Sequence, residues 1–129
     1  MHELSIAQSL VDAVAEAATQ AGAQRVAAVH LRLGALAGVE KEALLFCYDV
    51  ATRGTPLEGS ALIIEDVPLV ITCEACGARS AIPINRGFAC PACGKLHTRI
   101  VQGKELEIAS IEVEVETPEE VADVEDTPA

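Results

Sequence analysis

Residues 73–94, "CEACGARSAIPINRGFACPACG", decide how the chain is organised. Two CxxC pairs, Cys73/Cys76 and Cys90/Cys93, stand thirteen residues apart, and a glycine follows each pair directly, Gly77 and Gly94. A CxxC turn presents two sulfurs on one side of a tight loop. Glycine tolerates positive φ, so the backbone can curl and aim N–H groups at those sulfurs. Four thiolates in two such knuckles fit tetrahedral zinc. A redox dithiol needs one CxxC at a helix start, and iron–sulfur sites use other spacings. With four thiolate ligands no position is left for water, so the metal reads as structural. The spacer suits a zinc ribbon with one short hairpin between the knuckles. A module of about 35 residues cannot bury enough surface to fold alone. Zinc binding to comparable peptides supplies on the order of 10–16 kcal/mol.

Composition changes around this stretch. Residues 69–104 hold all four paired cysteines, and their five bases face Glu74 alone among the Asp and Glu residues. On either side the pattern is that of an α+β unit. Leu4, Ala7, Val11, Val14 and Ala18, with Leu10, form a helical stripe over about 4–21, with Ser5 and Gln8 as a capping box and Gly22 closing it. In "VAAVHLRLGAL" (26–36), Ala27, Val29, Leu31 and Leu33 alternate with His30 and Arg32, predicting a half-buried strand over about 25–36. A loop, Ala35 to Gly38, leads to a second helix over about 40–53, with Ala43, Phe46, Cys47 and Val50 on its stripe and Gly54 closing it. Cys47 reads there as a small buried hydrophobe. "SALIIEDVPL" gives a strand over about 60–67 that leaves at Pro68.

After the module, "ELEIASIEVEV" resumes a strand. Leu106 and Ile108 have one parity, and Ile111, Val113 and Val115 the other. A β-bulge near Ala109–Ser110 reconciles them; a strand buried on both faces is the alternative. The expected fold is therefore α+β: a three-stranded mixed sheet with two helices on one face, plus an inserted four-cysteine zinc-ribbon module. The expected division is 1–68 and 105–115 as one domain, 69–104 as the ribbon, and 116–129 as an acidic disordered tail.

Charge excludes some functions. The formal net charge is −11, and the last fourteen residues contribute six acids and no base. Residues 1–115 still carry 14 acids against 9 bases. Aromatics are two Phe and one Tyr, so there is no stacking platform. Neither feature suits nucleic-acid binding. No apolar run reaches the roughly 20 residues of a membrane span. The N-terminus has no secretory pattern, and unpaired cysteines suit a reducing compartment; the expectation is a cytoplasmic chain starting at Met1 or His2. No phosphate loop, Ser/His/Asp set or paired-carboxylate motif points to an enzyme. A zinc-ribbon module binding protein or nucleic acid stays open as the alternative.

The chain opens "MHELSIAQSL". A free α-amine, the His2 amide and the His2 imidazole can chelate one metal in fused rings, and Glu3 can add an oxygen or its own amide. Such nitrogen-rich coordination suits Ni(II) or Cu(II). A copper enzyme would want a second histidine ligand. Protons on the amine and imidazole compete with the metal near neutrality.

"MHELSIAQSLV", the CxxC-x13-CxxCG ribbon and "GKELEIASIEVE" together resemble the HypA/HybF family across about residues 1–115. The resemblance implies a nickel metallochaperone with a nickel-binding domain joined to a zinc ribbon. It implies Ni(II) bound by Met1, His2 and Glu3, with Glu40 as the matching candidate for an acidic residue near that site. It implies structural Zn(II) on Cys73, Cys76, Cys90 and Cys93. The partners implied are a HypB-type GTPase and the [NiFe]-hydrogenase large subunit, with urease maturation proteins for some members; a homodimer is open to the chain, a membrane partner is not expected. Some ribbons of the family carry histidines beside the knuckles, and His97 stands at a slightly different offset. His30, on the polar strand face, reads as solvated.

Overall fold

The computed structural model describes residues 2–115. Met1 and residues 116–129 lie outside them, and with these the expectation of a disordered tail.

Helix α1 (Glu3–Gln20) buries Ile6, Ala7, Leu10, Val11, Val14 and Ala18. Leu4 is 45 % exposed, and Ile6 joins the buried stripe. The expected capping box is absent: His2 is the N-cap, without a side-chain bond, and its carbonyl accepts the Ile6 N–H at 3.1 Å.

Strand β1 (Ala23–Gly34) is the centre of the larger sheet. Strand β2 (Ala61–Val67) pairs with it in parallel, and the last strand of the chain, Leu106–Val115, pairs antiparallel on the other side. The sheet is thus three-stranded and mixed, with α1 and α2 (Lys41–Ala51) packed on one face. Val26, Val29 and Leu31 enter the core beneath the helices, as do Leu44, Tyr48 and Leu57.

Three bulges set the faces. Ala109 is skipped between the pairs His30/Ser110 and Leu31/Ile108, which brings the two parities of the last strand together as expected. Gln24 and Ala27 are the extra residues on β1. Neither of these was anticipated, and the second has the larger consequence. It turns Ala27 outward and gives Val26 the buried place that strict alternation assigned to Ala27.

The stripe of α2 also differs from expectation. Leu44 and Tyr48 are buried, with Cys47 and Ala51 half-buried beside them, whereas Phe46 is 69 % exposed. Leu44, Cys47, Tyr48 and Ala51 form an equally regular 3–4 repeat. Which of two apolar stripes faces inward is settled by packing against α1 and the sheet. Tyr48 takes the polar end of its ring to Ser60, hydroxyl to hydroxyl at 2.6 Å, and burial pushes its pKa up.

The cysteine-bearing region forms a second sheet with its own core. Strand β3 (Val70–Cys73) lies between β4 (Arg79–Ala81) and β5 (Thr98–Gln102), antiparallel to both. The last strand of the larger sheet is accordingly β6. The hairpin β3–β4 turns through the first knuckle rather than lying between the two. Between β4 and the second knuckle the chain makes only a 3-10 turn, Ile84–Arg86. Leu69, Ile71 and Ile82 form the small core, with Ile100 against it.

Leu36, from the loop after β1, also packs on this small core. Its N–H donates to the Gly103 carbonyl at 2.6 Å, and the Gly34 N–H donates to the Glu105 carbonyl at 2.7 Å. The backbones are so close that a Cβ on Gly34 would overlap the Gly103 carbonyl. One on Gly103, whose φ is +121°, would lie 2.8 Å from the Leu69 Cα.

Candidate metal centres

The two knuckles are built alike. Cys73 donates its N–H to the Ala78 carbonyl at 2.8 Å and accepts from Gly77 N–H at 2.8 Å. Cys90 donates to the Lys95 carbonyl at 2.9 Å and accepts from Gly94 N–H at 2.7 Å. Gly77 and Gly94 have φ of +80° and +79°, the left-handed conformation these turns require. Each turn thereby brings its second cysteine back over its first.

The four sulfurs lie within 4.8 Å of one another. Cys73 and Cys93 Sγ are 3.6 Å apart, and Cys76 and Cys90 Sγ 3.7 Å. Zn–S bonds of about 2.3 Å imply tetrahedron edges of about 3.8 Å, so the donor set has the size and chemistry for zinc. Cys73 and Cys90 are buried, while Cys76 and Cys93 face outward. The Cys93 amide, ahead of the Ala92 amide, draws the Cys90 thiol down to about 7 against the opposing effect of burial. The Cys76 amide likewise lowers Cys73. At Cys76 the Ala78 amide favours the thiolate, but the Cys90 sulfur, burial and the other thiols outweigh it and push it up to about 11. Deprotonating all four sulfurs at this spacing would need a cation among them.

Among the described residues these cysteines are the one group of three or more His, Cys, Asp or Glu side chains gathered as metal ligands. His97 does not join them; it is exposed, and its carbonyl accepts the Glu74 N–H at 2.7 Å. Cys47 is half-buried against the larger core. His30 is not simply solvated: its Nε2 lies 2.7 Å from Glu112 Oε2 on the outer face of the sheet.

The N-terminal candidates are arranged differently. His2 is exposed at the head of α1. Glu3 Oε2 accepts the Glu40 backbone N–H at 3.0 Å, and this bond holds the Glu3 carboxyl below the usual carboxylate range. Glu40 is the N-cap of α2, its Oε1 accepting the Ala43 N–H at 3.3 Å. The structure thus brings the two helix starts together through the Glu40 amide, while the Glu40 carboxylate is turned to its own helix. Met1 lies outside the described residues.

His2 also borders an apolar cavity of about 310 Å³, lined by Ile6, Leu10, Leu106 and Ile108 among others. No pattern within α1 or β6 marks it. Only the bulge at Ala109 places Ile108 across from α1.

A family model described as "Hydrogenase/urease nickel incorporation, metallochaperone, hypA" matches residues 1–113. The chain belongs to the HypA family. It is 56 % identical over 122 residues to the hydrogenase maturation factor HypA of Roseiflexus sp. (strain RS-1), spanning 95 % of this chain and 99 % of that one. It is 49 % identical over 112 residues to the HypA of Chloroflexus aurantiacus, spanning 87 % and 98 %. The solution structure of the Ni metallochaperone HypA from Helicobacter pylori shares the fold, with a TM-score of 0.63 at 23 % identity over 90 % of this chain and all of that one. A second HypA solution structure aligns with a TM-score of 0.67 at 22 % identity. HypA proteins are nickel-incorporation metallochaperones of hydrogenase maturation. Among the described residues no helix is long and apolar enough to cross a membrane.

Proposed function

We propose that the chain is a cytoplasmic carrier that binds Ni(II) through the Met1 amine, His2 and Glu3. It passes the ion, together with a HypB-type GTPase, to the large subunit of [NiFe]-hydrogenase, with no catalytic step of its own. The carrying observation is the bond from the Glu40 amide to the Glu3 carboxylate. It anchors the first turn of α1, so that His2 projects from a fixed base into solvent. A terminal, open site of this kind lets one ligand at a time be exchanged for those of a receiving protein. The apolar cavity beside His2 gives such a protein a foothold.

In this reading Glu40 acts through its amide as a positioning residue and is not a ligand. Cys73, Cys76, Cys90 and Cys93 hold Zn(II), which would neutralise the thiolates and fasten the two knuckles, making 69–104 a unit of its own.

Calorimetry tests the nickel site on the zinc-loaded chain with its native N-terminus, on His2→Ala, and on a chain extended before Met1. One nickel site should disappear in both altered forms while zinc content stays unchanged. Undiminished nickel binding in the extended form removes the amine ligand from the proposal.

A further inference from the structure

The chain divides its charge between two segments. Residues 69–104 carry Arg79, Arg86, Lys95, Arg99 and Lys104 against Glu74. The two net negative charges of a zinc-bound tetrathiolate would still leave this region positive. Residues 116–129 hold six acids and no base. The family model ends at residue 113, while the Roseiflexus HypA aligns over 95 % of this chain and so shares part of the acidic segment.

The basic region has a face to offer. Thr98 Oγ1 donates to the Phe88 carbonyl at 2.6 Å, and Cys90 N–H donates to the Lys95 carbonyl at 2.9 Å. These bonds draw the 84–88 and 95–98 loops together at the end of the small sheet. Ile84, Phe88 and Leu96 are exposed there, Leu96 by 74 %. Arg86 and Lys95 stand in the same loops, and neither makes an ion pair among the described residues. Apolar side chains interleaved with cations match a sequence of apolar residues interleaved with acids. Residues 119–126, "EEVADVED", set Val121 and Val124 among five acids.

We propose that the acidic segment 119–126 of one copy of the chain docks on the Ile84–Phe88–Leu96 face of a second copy, Arg86 and Lys95 pairing with its carboxylates. Reach decides for a second copy over the chain's own ribbon. The ten residues of β6 start beside Gly103 and carry the chain away from the small sheet, by roughly 30 Å at about 3.3 Å per residue. Fourteen further residues span at most about 50 Å when fully extended. Returning along β6 and then past β5 takes about 45 Å, whereas Val121 and Val124, the sixth and ninth residues after β6, reach at most about 20 and 30 Å. A reciprocal exchange between two copies has no such limit and closes as a two-fold dimer. Two short segments bury less than a standard interface, so the association is weak and salt-sensitive.

Sedimentation equilibrium of the zinc-loaded full chain over a range of protein concentrations tests this. Dimer should accumulate at low salt, and raising salt from about 0.05 to 0.5 M should weaken it about tenfold. Arg86→Glu with Lys95→Glu should abolish it with one zinc per chain retained, as should Glu119→Lys, Glu120→Lys and Asp123→Lys in one tail. Combining both sets should restore it. Should the ribbon variant lose zinc, the tail variant decides alone. Mixing the two monomeric variants should give a heterodimer held by both contacts, one native and one with its charges exchanged. A wild-type chain monomeric at every concentration, or a dimer indifferent to the tail reversal, overturns the proposal.

Discussion

The two sheets of this chain are similar in strand number and opposite in what holds them. The larger one rests on a continuous apolar core: α1, α2 and β1 alone bury eleven of its residues. The smaller has three buried apolar residues of its own, Leu69, Ile71 and Ile82, and borrows Leu36 from its neighbour. A core of that size falls far short of the conformational entropy of some 35 residues. The difference lies in the four sulfurs at tetrahedral spacing, which let one ion replace the core the module lacks. With zinc bound as proposed, one half of the molecule would be stable by packing and the other by coordination.

The sharpest way to break that contrast is to remove a buried sulfur. Cys73→Ser or Cys90→Ser should abolish stoichiometric zinc and unfold the small sheet, because binding energy on the order of 10 kcal/mol is lost. Hydrogen exchange should show protection gone from Val70–Gln102 and retained in α1 and β1. Loss of protection throughout would mean the larger core depends on the ion as well. The converse is Leu44→Ala, at a fully buried position. It should cost about 2–5 kcal/mol in thermal or denaturant unfolding of the larger core, with zinc content unchanged. Gly34→Ala probes the junction between the halves. Its methyl group would meet Gly103 and Glu105 backbone, so a loss of about 1–3 kcal/mol is expected, with amide shifts on both sides of the contact in NMR spectra.

Smaller effects sharpen the picture of the larger half. Tyr48→Phe should cost about 1 kcal/mol in denaturant unfolding, since Ser60 loses its partner in a part-buried place. Glu3→Gln should change least. The Glu3 carboxyl is held below its ordinary value by the Glu40 amide, so its contribution is present above the unfolded pKa and is lost as pH falls through the lowered folded one. The wild-type advantage over Glu3→Gln should therefore shrink as unfolding is measured from pH 6 toward pH 3. Because the group is exposed, the advantage is small and weakened by salt. A difference that grows with acidity would contradict the Glu3–Glu40 bond.

Much of this was legible in the residues. The doubled CxxC with its glycines specified a four-sulfur cluster, because the turn that satisfies each knuckle is local. The parity conflict between Ile108 and Ile111 was enough to locate the bulge at Ala109. Other features were not local. Ala27 and Val26 exchange places because a second bulge answers the pairing with β6, which no pattern within β1 records. On α2, Ala43–Phe46–Cys47–Val50 and Leu44–Cys47–Tyr48–Ala51 are equally helical, and only packing against α1 and the sheet chooses between them. The role of Glu40 shows the same limit. The resemblance offered Glu40 as a candidate beside the N-terminal site, and no local pattern records that its backbone amide also bonds to Glu3.

By itself, then, the sequence determined where the helices and strands of the larger sheet lie and which sulfurs cluster, since periodicity and short-range spacing carry that information. It also determined that the chain carries an acidic segment and a basic ribbon, which is a matter of composition. Only the tertiary structure decided which stripe of α2 faces inward, that Leu36 and Gly34 join the two sheets to Gly103, that the two helix starts meet at Glu3 and Glu40, and that an apolar cavity opens beside His2. Those outcomes depend on contacts between residues from about 35 to a hundred positions apart. Such contacts are set by how whole faces fit once they are brought together, and no window along the chain contains both sides of the fit.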